Sequence, residues 1–218
     1  MTSRDDPTPP DPAFAGQTAQ DRALAPGLSA RPPLHRDLRE GVRRRDRDAL
    51  AAFYDRYFEE VYGLAFRLLG DRESAEDVAQ DVFVKVHRAA ERLDAGRDPL
   101  PWLAAIVWNT CRDRWRSGPH RMGMRSTDVT MPAVAATLSA DGDDPAQQLL
   151  LSEREQLVQG ALGELPEGLR AVVVMHEYAG LDLQQVAHAL GVSHAAARKR
   201  HSRALERLGE LLRGRLEP

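Results

Sequence analysis

Residues Leu181–Leu208 read LDLQQVAHALGVSHAAARKRHSRALERL, and the fold turns on this stretch. Asp182 stands where a helix N-cap belongs, because its carboxylate can accept the free N–H groups of the turn that follows. Val186, Ala187 and Leu190 recur behind it at helical spacing, and Val192 adds apolar packing. Gly191 supplies a tight turn, and Ser193 caps a second helix. Helix, glycine turn and capped helix together predict a helix-turn-helix. The second helix has two faces. Ala197, His201, Ala204 and Leu208 follow at spacings of four, three and four and should face inward. Lys199, Arg200, Arg203 and Arg207 fall on another face. Such a helix suits the major groove of duplex DNA: its first residues (Ser193, His194, Ala196) meet bases, and the later cations hold phosphates. A basic run alone is equally a solvated surface; the capped turn before it favours DNA. His201, on the inward seam, is explained by a neutral ring with one hydrogen bond. His188 and His194 are ordinary. No His/Cys/Asp spacing resembles a metal site, so no metal and no cofactor are expected.

Outward from this motif, the chain stays helical. Pro166–Tyr178 reads as a helix with Leu169, Val172, Val173 and His176 on its inner face. Leu149–Leu162 reads as another, and Asp144-Pro145 is a cap followed by a first-turn proline. Residues 117–144, SGPHRMGMRSTDVTMPAVAATLSADGDD, form a linker by composition. Before the linker the chain reads as helical from about His35 to Arg116. Asp46 caps a helix carrying Leu50, Phe53, Tyr54, Tyr57, Val61, Leu64, Ala65 and Leu68. Gly70-Asp71 ends it. A helix from about Arg72 to Leu93 follows, with Ala75, Val78, Ala79, Val82, Phe83 and Val86 as its apolar stripe. DAGRDPLP is a loop, and PWLAAIVWNTCRDRWR a further helix with proline near its start. Residues 1–34 are rich in Pro, Asp, Ala and Gly and read as disordered. The prediction is all-α: two helical domains, 35–116 and 145–218, on a flexible tether.

Composition excludes several classes. The 218 residues allow one or two domains. A net charge of −3 excludes a uniformly basic nucleic-acid binder and leaves room for local patches. No run of about 18 apolar residues suggests a membrane span, and the N-terminus has no signal-peptide pattern. The single Cys111 cannot form an internal disulfide, which fits a cytoplasmic protein.

Two helices remain to be explained. In PWLAAIVWNTCRDRWR, Leu103, Ile106, Val107 and Thr110 share one face and should be core. Trp108 and Trp115 lie a heptad apart on the opposite side, with Arg112 beside them; Trp102, Asn109, Asp113 and Arg116 lie near the boundary. Aromatics interleaved with arginines can stack unpaired bases, at roughly 1–3 kcal/mol per base. Packing on neighbouring helices is the competing role, assigned to Trp102 and left open for Trp108 and Trp115. In ESAEDVAQDVF (Glu73–Phe83), Glu76, Asp77, Gln80 and Asp81 form an anionic face off the apolar stripe. A solvated surface and a carboxylate metal site are its two simple readings, and phosphate would repel it.

Taken together, these segments resemble the extracytoplasmic-function (ECF) group of bacterial RNA polymerase sigma factors, of the sigma-70 family. FYDRYFEEVYGLAFRLLGDRESAEDVAQDVFVKV is similar to the first half of that family's region 2. WLAAIVWNTCRDRWR is similar to the second half, W-L-x-x-I-A-x-N-x-x-x-D-x-x-R, matched by Trp102, Leu103, Ile106, Asn109, Asp113 and Arg116. LPEGLRAVVVMHEYAGLDLQQVAHALGVSHAAARKRHSRALERL resembles region 4. The resemblance spans about residues 38–116 and 147–213 and implies a non-enzymatic protein that binds core RNA polymerase (β′ and β subunits) and promoter DNA. It implies that the E-D-x-x-Q-[ED] helix, here Glu76, Asp77, Gln80 and Asp81, docks on a coiled coil of β′. It assigns the loop Leu93–Pro101 to a pocket for a flipped minus-10 base and Asn109 to the promoter strand; the stacking and cationic residues Trp108, Arg112, Trp115 and Arg116 on the same helix are then expected at the minus-10 strand too. It assigns Ser193, His194, Ala196, Lys199, Arg200, Arg203 and Arg207 to the minus-35 duplex. An anti-sigma partner is a further implication. The chain departs from the pattern at Trp108, where arginine is common, at Ala196–Lys199, and at His201, where leucine is usual. A stand-alone helix-turn-helix regulator and a carboxylate-based nuclease are the rival readings.

Overall fold

The computed structural model describes residues 34–116 and 145–216. The N-terminal tail through residue 33 and the linker 117–144 lie outside the described residues. Every regular element among the described residues is helical: α1 (Arg36–Arg43), α2 (Arg47–Leu69), α3 (Arg72–Arg88), α4 (Leu100–Arg116), α5 (Pro145–Gly163), α6 (Glu167–Val173), α7 (Leu183–Leu190) and α8 (His194–Leu216). The all-α expectation holds.

Local chemistry sets the boundaries. Asp46 accepts the N–H groups of Asp48 and Ala49 and starts α2. Gly70 ends it at φ 76°, a left-handed conformation that costs glycine nothing. Asp71 then accepts the Ser74 N–H and starts α3. A corner at Arg45, itself left-handed at φ 58°, breaks the front helical run in two. Gly41 lets α1 approach α2 there: a Cβ would stand 2.6 Å from that of Ala49. The Arg45 guanidinium reaches the carbonyls of His87 and Arg88, closing the end of α3. Accordingly α3 stops at Arg88, not Leu93, and a single 3-10 turn at Ala90–Arg92 carries the chain on.

Helices α2, α3 and α4 pack on one another, with α1 against α2. Phe53, Tyr57, Val61, Leu64 and Leu68 of α2 meet Val78, Val82 and Val86 of α3 and Leu103 and Val107 of α4, all buried. Each such side chain contributes about 1.5–3 kcal/mol on leaving water. Tyr54 departs from the expected stripe: it is exposed, tilted against Phe58 and Phe83.

In the rear half α8 packs against α5, α6 and α7. The segment after α6 does not continue as an α-helix; Val174–Tyr178 widens into a π-helical turn. Its buried face is broader than the sequence suggested, taking in Arg170 and every residue from Ala171 to Met175. Asp182 caps α7 in a reciprocal capping box with Gln185, Gly191 turns at φ 67°, and the Ser193 hydroxyl accepts the Ala196 N–H at the start of α8. The helix-turn-helix is as the sequence reads.

The two halves touch. One apolar cluster runs through both. Where α2 ends, its last carbonyls lack partners of their own, and the rear half supplies donors. Gln159 of α5 donates to the carbonyls of Phe66 and Arg67, and Arg170 of α6 to that of Leu68. The same guanidinium bonds the carbonyls of Gly163 and Leu165 at 2.8 and 3.0 Å. Arg67 returns the contact by lying 4.1 Å over the Tyr178 ring.

Candidate functional site

Three surfaces collect the residues singled out by the sequence. The first is the outer face of α3. Asp71 and Gly70 fix its start, and Val78, Ala79 and Val82 hold its inner stripe in the core, so Glu76, Asp77, Gln80 and Asp81 turn outward and are exposed. Asp77 also bonds Arg114 of α4 at 3.0 Å. An exposed pair of this kind contributes at most about 1 kcal/mol, so the face stays available to a cationic partner.

The second surface is α4, and it is split. Leu103, Ile106, Val107 and Thr110 lie in the front core as expected. The Thr110 hydroxyl donates to the Ile106 carbonyl and accepts from Lys85 at 2.9 Å. Lys85 also stands 3.9 Å from Asp113. A second stripe, Ala104, Trp108, Cys111 and Trp115, repeats at spacings of four, three and four. The helix meets the rear half: α7 packs against α4, and the Cys111 thiol lies within electrostatic reach of Arg170. Trp108 is only 7% exposed and packs edge-on against Trp115, ring centres 5.7 Å apart. Its indole N–H finds no acceptor. Burial pushes the Cys111 thiol up to about 12. In this arrangement the role left open for Trp108 is packing. Asn109, Arg112 and Trp115 are half-buried and Arg116 is exposed on the remaining edge. Asp98 accepts the Leu100 N–H and starts α4, while Arg39 of α1 ties down the preceding loop at the Arg97 carbonyl.

The third surface is α8. Ala197, Ala204 and Leu208 are buried and His201 nearly so, which leaves Lys199, Arg203 and Arg207 exposed together. Ser193 and His194 are exposed at its first turn and Ala196 half-buried. Arg200 stands apart from the open face, with its guanidinium leaning toward Gly168 at the start of α6. Arg207 pairs with Glu210 at 2.9 Å, a weak exposed contact. The face is cationic, capped at its N-terminus and clear of the other half.

Sequence reasoning missed the joint. Arg170 is 2% exposed, and burial lowers its affinity for its proton. The signal was present: Arg170 falls three residues before Val173 and four before Val174, on the inner face of its own helix. A lone arginine there needs several carbonyl acceptors, and the structure supplies three.

Comparison with known proteins identifies the family. The family models for Sigma-70 region 2 and Sigma-70 region 4 match residues 53–119 and 155–208. The chain is 33% identical to the RNA polymerase sigma factor CarQ of Myxococcus xanthus over 170 residues, 78% of this chain and 92% of that one. It is likewise 33% identical to the ECF RNA polymerase sigma factor SigK of Mycolicibacterium vanbaalenii over 166 residues, 73% and 79% of the two chains. The probable RNA polymerase sigma factor RfaY of Xanthomonas campestris is 35% identical over 145 residues, 66% of this chain but only 35% of that longer one. Among solved structures, CnrH in complex with the cytosolic domain of CnrY shares the fold, with a TM-score of 0.59 at 24% identity over 82% and 97% of the two chains. No helix among the described residues is long and apolar enough to cross a membrane. The chain belongs to the extracytoplasmic-function group of sigma-70 family RNA polymerase sigma factors, non-catalytic proteins that direct transcription.

Proposed function

We propose that this chain binds core RNA polymerase through the anionic face of α3 and bridges two promoter elements with its halves, residues 35–116 as region 2 and 145–218 as region 4. The observation that carries the reading is the pair of exposed helical faces of opposite sign on one chain: Glu76, Asp77 and Asp81 on α3, and Lys199, Arg203 and Arg207 on α8. Phosphate attracts the second and repels the first, so the first suits a basic protein surface, here a helical coiled coil of β′, and keeps stray nucleic acid away.

Lys199, Arg203 and Arg207 hold the phosphates of the minus-35 duplex, with Arg200 at the edge of the contact. Ser193, His194 and Ala196 at the first turn approach bases. On α4, Asn109, Arg112 and Arg116 line the minus-10 strand, and the loop Leu93–Pro101 receives an unstacked base. Trp108 and Trp115 join them once α7 moves off α4. Polymerase supplies the spacing at which two weak contacts act as one strong one. An anti-sigma factor is a further partner, in keeping with the Bartonella quintana sigma factor RpoE, solved in complex with the anti-sigma factor NepR.

The test is reversal of charge on α3. Asp81→Lys, alone and with Asp77→Lys, is expected to abolish retention of the protein by immobilised core enzyme while leaving its helical circular dichroism unchanged. Asp81→Lys is the cleaner change, since Asp77 also serves Arg114. Retention at the wild-type level would reject the reading. Run-off transcription with core enzyme on a cognate promoter separates it from a stand-alone regulator, which binds duplex but yields no promoter-dependent transcript.

A further inference from the structure

The π turn after α6 and the inner seam of α8 bring three donor side chains to one point. His201 Nε2 lies 3.0 Å from Glu177 Oε1, and His176 Nε2 lies 4.0 Å from the same oxygen. The two imidazole rings stand nearly perpendicular with centres 4.7 Å apart, and the three donor atoms all fall within 4.8 Å of one another. The backbone makes this meeting possible. Widening of the helix at Val174–Tyr178 presents two neighbouring residues, His176 and Glu177, to one point, and π turns of this kind recur at functional sites.

The other ring nitrogen of His176 fixes its chemistry. Nδ1 is 2.7 Å from the Leu181 carbonyl. A carbonyl only accepts, so Nδ1 carries the proton and, in the neutral ring, Nε2 presents its lone pair toward Glu177. At 4.0 Å that nitrogen makes no hydrogen bond to the carboxylate oxygen. A cation between the two would bind both. An Nδ1–H held by a backbone carbonyl is also the outer contact that orients metal-binding histidines.

We propose that His176, Glu177 and His201 bind a divalent transition-metal ion of the zinc class. Two imidazoles and one carboxylate are a borderline nitrogen and oxygen donor set, as zinc prefers. Donor atoms around zinc stand about 3.3 Å apart, given bonds of about 2.0–2.2 Å. The observed trio closes to that spacing by modest side-chain rotation, for which His176 and Glu177, 33% and 44% exposed, have room. The same exposure leaves a fourth position for water. The ion would clasp α8, the helix with the cationic face, to the turn that follows α6.

The test uses the full chain, freed of metal with a chelator, and Co²⁺ as a coloured stand-in for Zn²⁺. The wild type is expected to take up one equivalent, with the visible absorption of a low-coordinate nitrogen and oxygen site, and to release it to Zn²⁺. Its melting temperature should rise with Zn²⁺. His201→Leu places an aliphatic side chain on a seam of Ala197, Ala204 and Leu208, so it should fold and lose the spectrum. Glu177→Gln keeps the shape of the site without its charge; it should bind at least tenfold more weakly and lose the thermal shift. A His87→Gln, His188→Gln double variant, altered at exposed histidines elsewhere, should retain both. Absence of uptake by the wild type, or equal uptake by Glu177→Gln, overturns the proposal and leaves the trio a simple histidine–carboxylate contact.

Discussion

Helices α4 and α8 both carry cations of the kind nucleic acid calls for, and α4 adds tryptophans, yet the fold treats the two oppositely. The basic face of α8 is open along its length: Lys199, Arg203 and Arg207 need no rearrangement to meet a duplex. On α4, the helix against which α7 packs, Trp108 is buried and Trp115 half-buried. The closure is imperfect. The Trp108 indole N–H, the Gln159 side-chain carbonyl and the Arg67 Nε are buried without partners, and each such group costs about 1–3 kcal/mol. A duplex contact made by rigid docking and a strand contact that waits for an opening are different kinds of site, and one chain holds both.

The sharpest way to break this contrast is Trp108→Ala. If the indole is packing, the chain should lose about 4 kcal/mol of stability in urea unfolding. If it is a free base-stacking platform, stability should hardly change. Arg170→Ala should cost about 3 kcal/mol by stranding three carbonyls, and should redden tryptophan fluorescence as the joint loosens; an unchanged emission maximum would show the halves held by apolar contact alone. For α8, Lys199→Ala with Arg203→Ala should weaken duplex binding about tenfold, near 1.4 kcal/mol, and flatten the salt dependence by about one phosphate each. Arg200→Ala should do less, because its guanidinium leans toward α6. Cys111 reports on the joint without a mutation. With its thiol pushed up to about 12, alkylation at pH 8 should be far slower than for an exposed cysteine, and should accelerate when core polymerase is added. The smallest effect is expected for Arg114→Ala, at about 0.5 kcal/mol, since the Asp77 pair is exposed.

How much of this was legible in the sequence follows the range of the interactions. Caps at Asp46, Asp182 and Ser193 and turns at Gly70 and Gly191 act within a few residues, and the sequence marks them all. The outward faces of α3 and α8 follow from periodicity. The joint was not legible, because Arg170 meets Leu68 across a sequence gap of 102 residues, and no local pattern links a helix end to a distant arginine. The early stop of α3 depends on Arg45, 42 residues upstream of His87. The trio of His176, Glu177 and His201 escaped notice for a similar reason. Metal-type spacing is a pattern of near neighbours along the chain, whereas these donors meet across 24 residues through packing.

The donors that Gln159 and Arg170 lend to the end of α2 have a thermal consequence. Water can replace those hydrogen bonds at little net free energy, so the apolar stripe around Trp108 and Cys111 governs the cost of parting the halves. Uncovering such surface raises heat capacity, and its resistance fades on cooling. The hinge between the two halves should therefore come undone more readily in chilled solution than in warm, with calorimetry registering a gain in heat capacity as it swings.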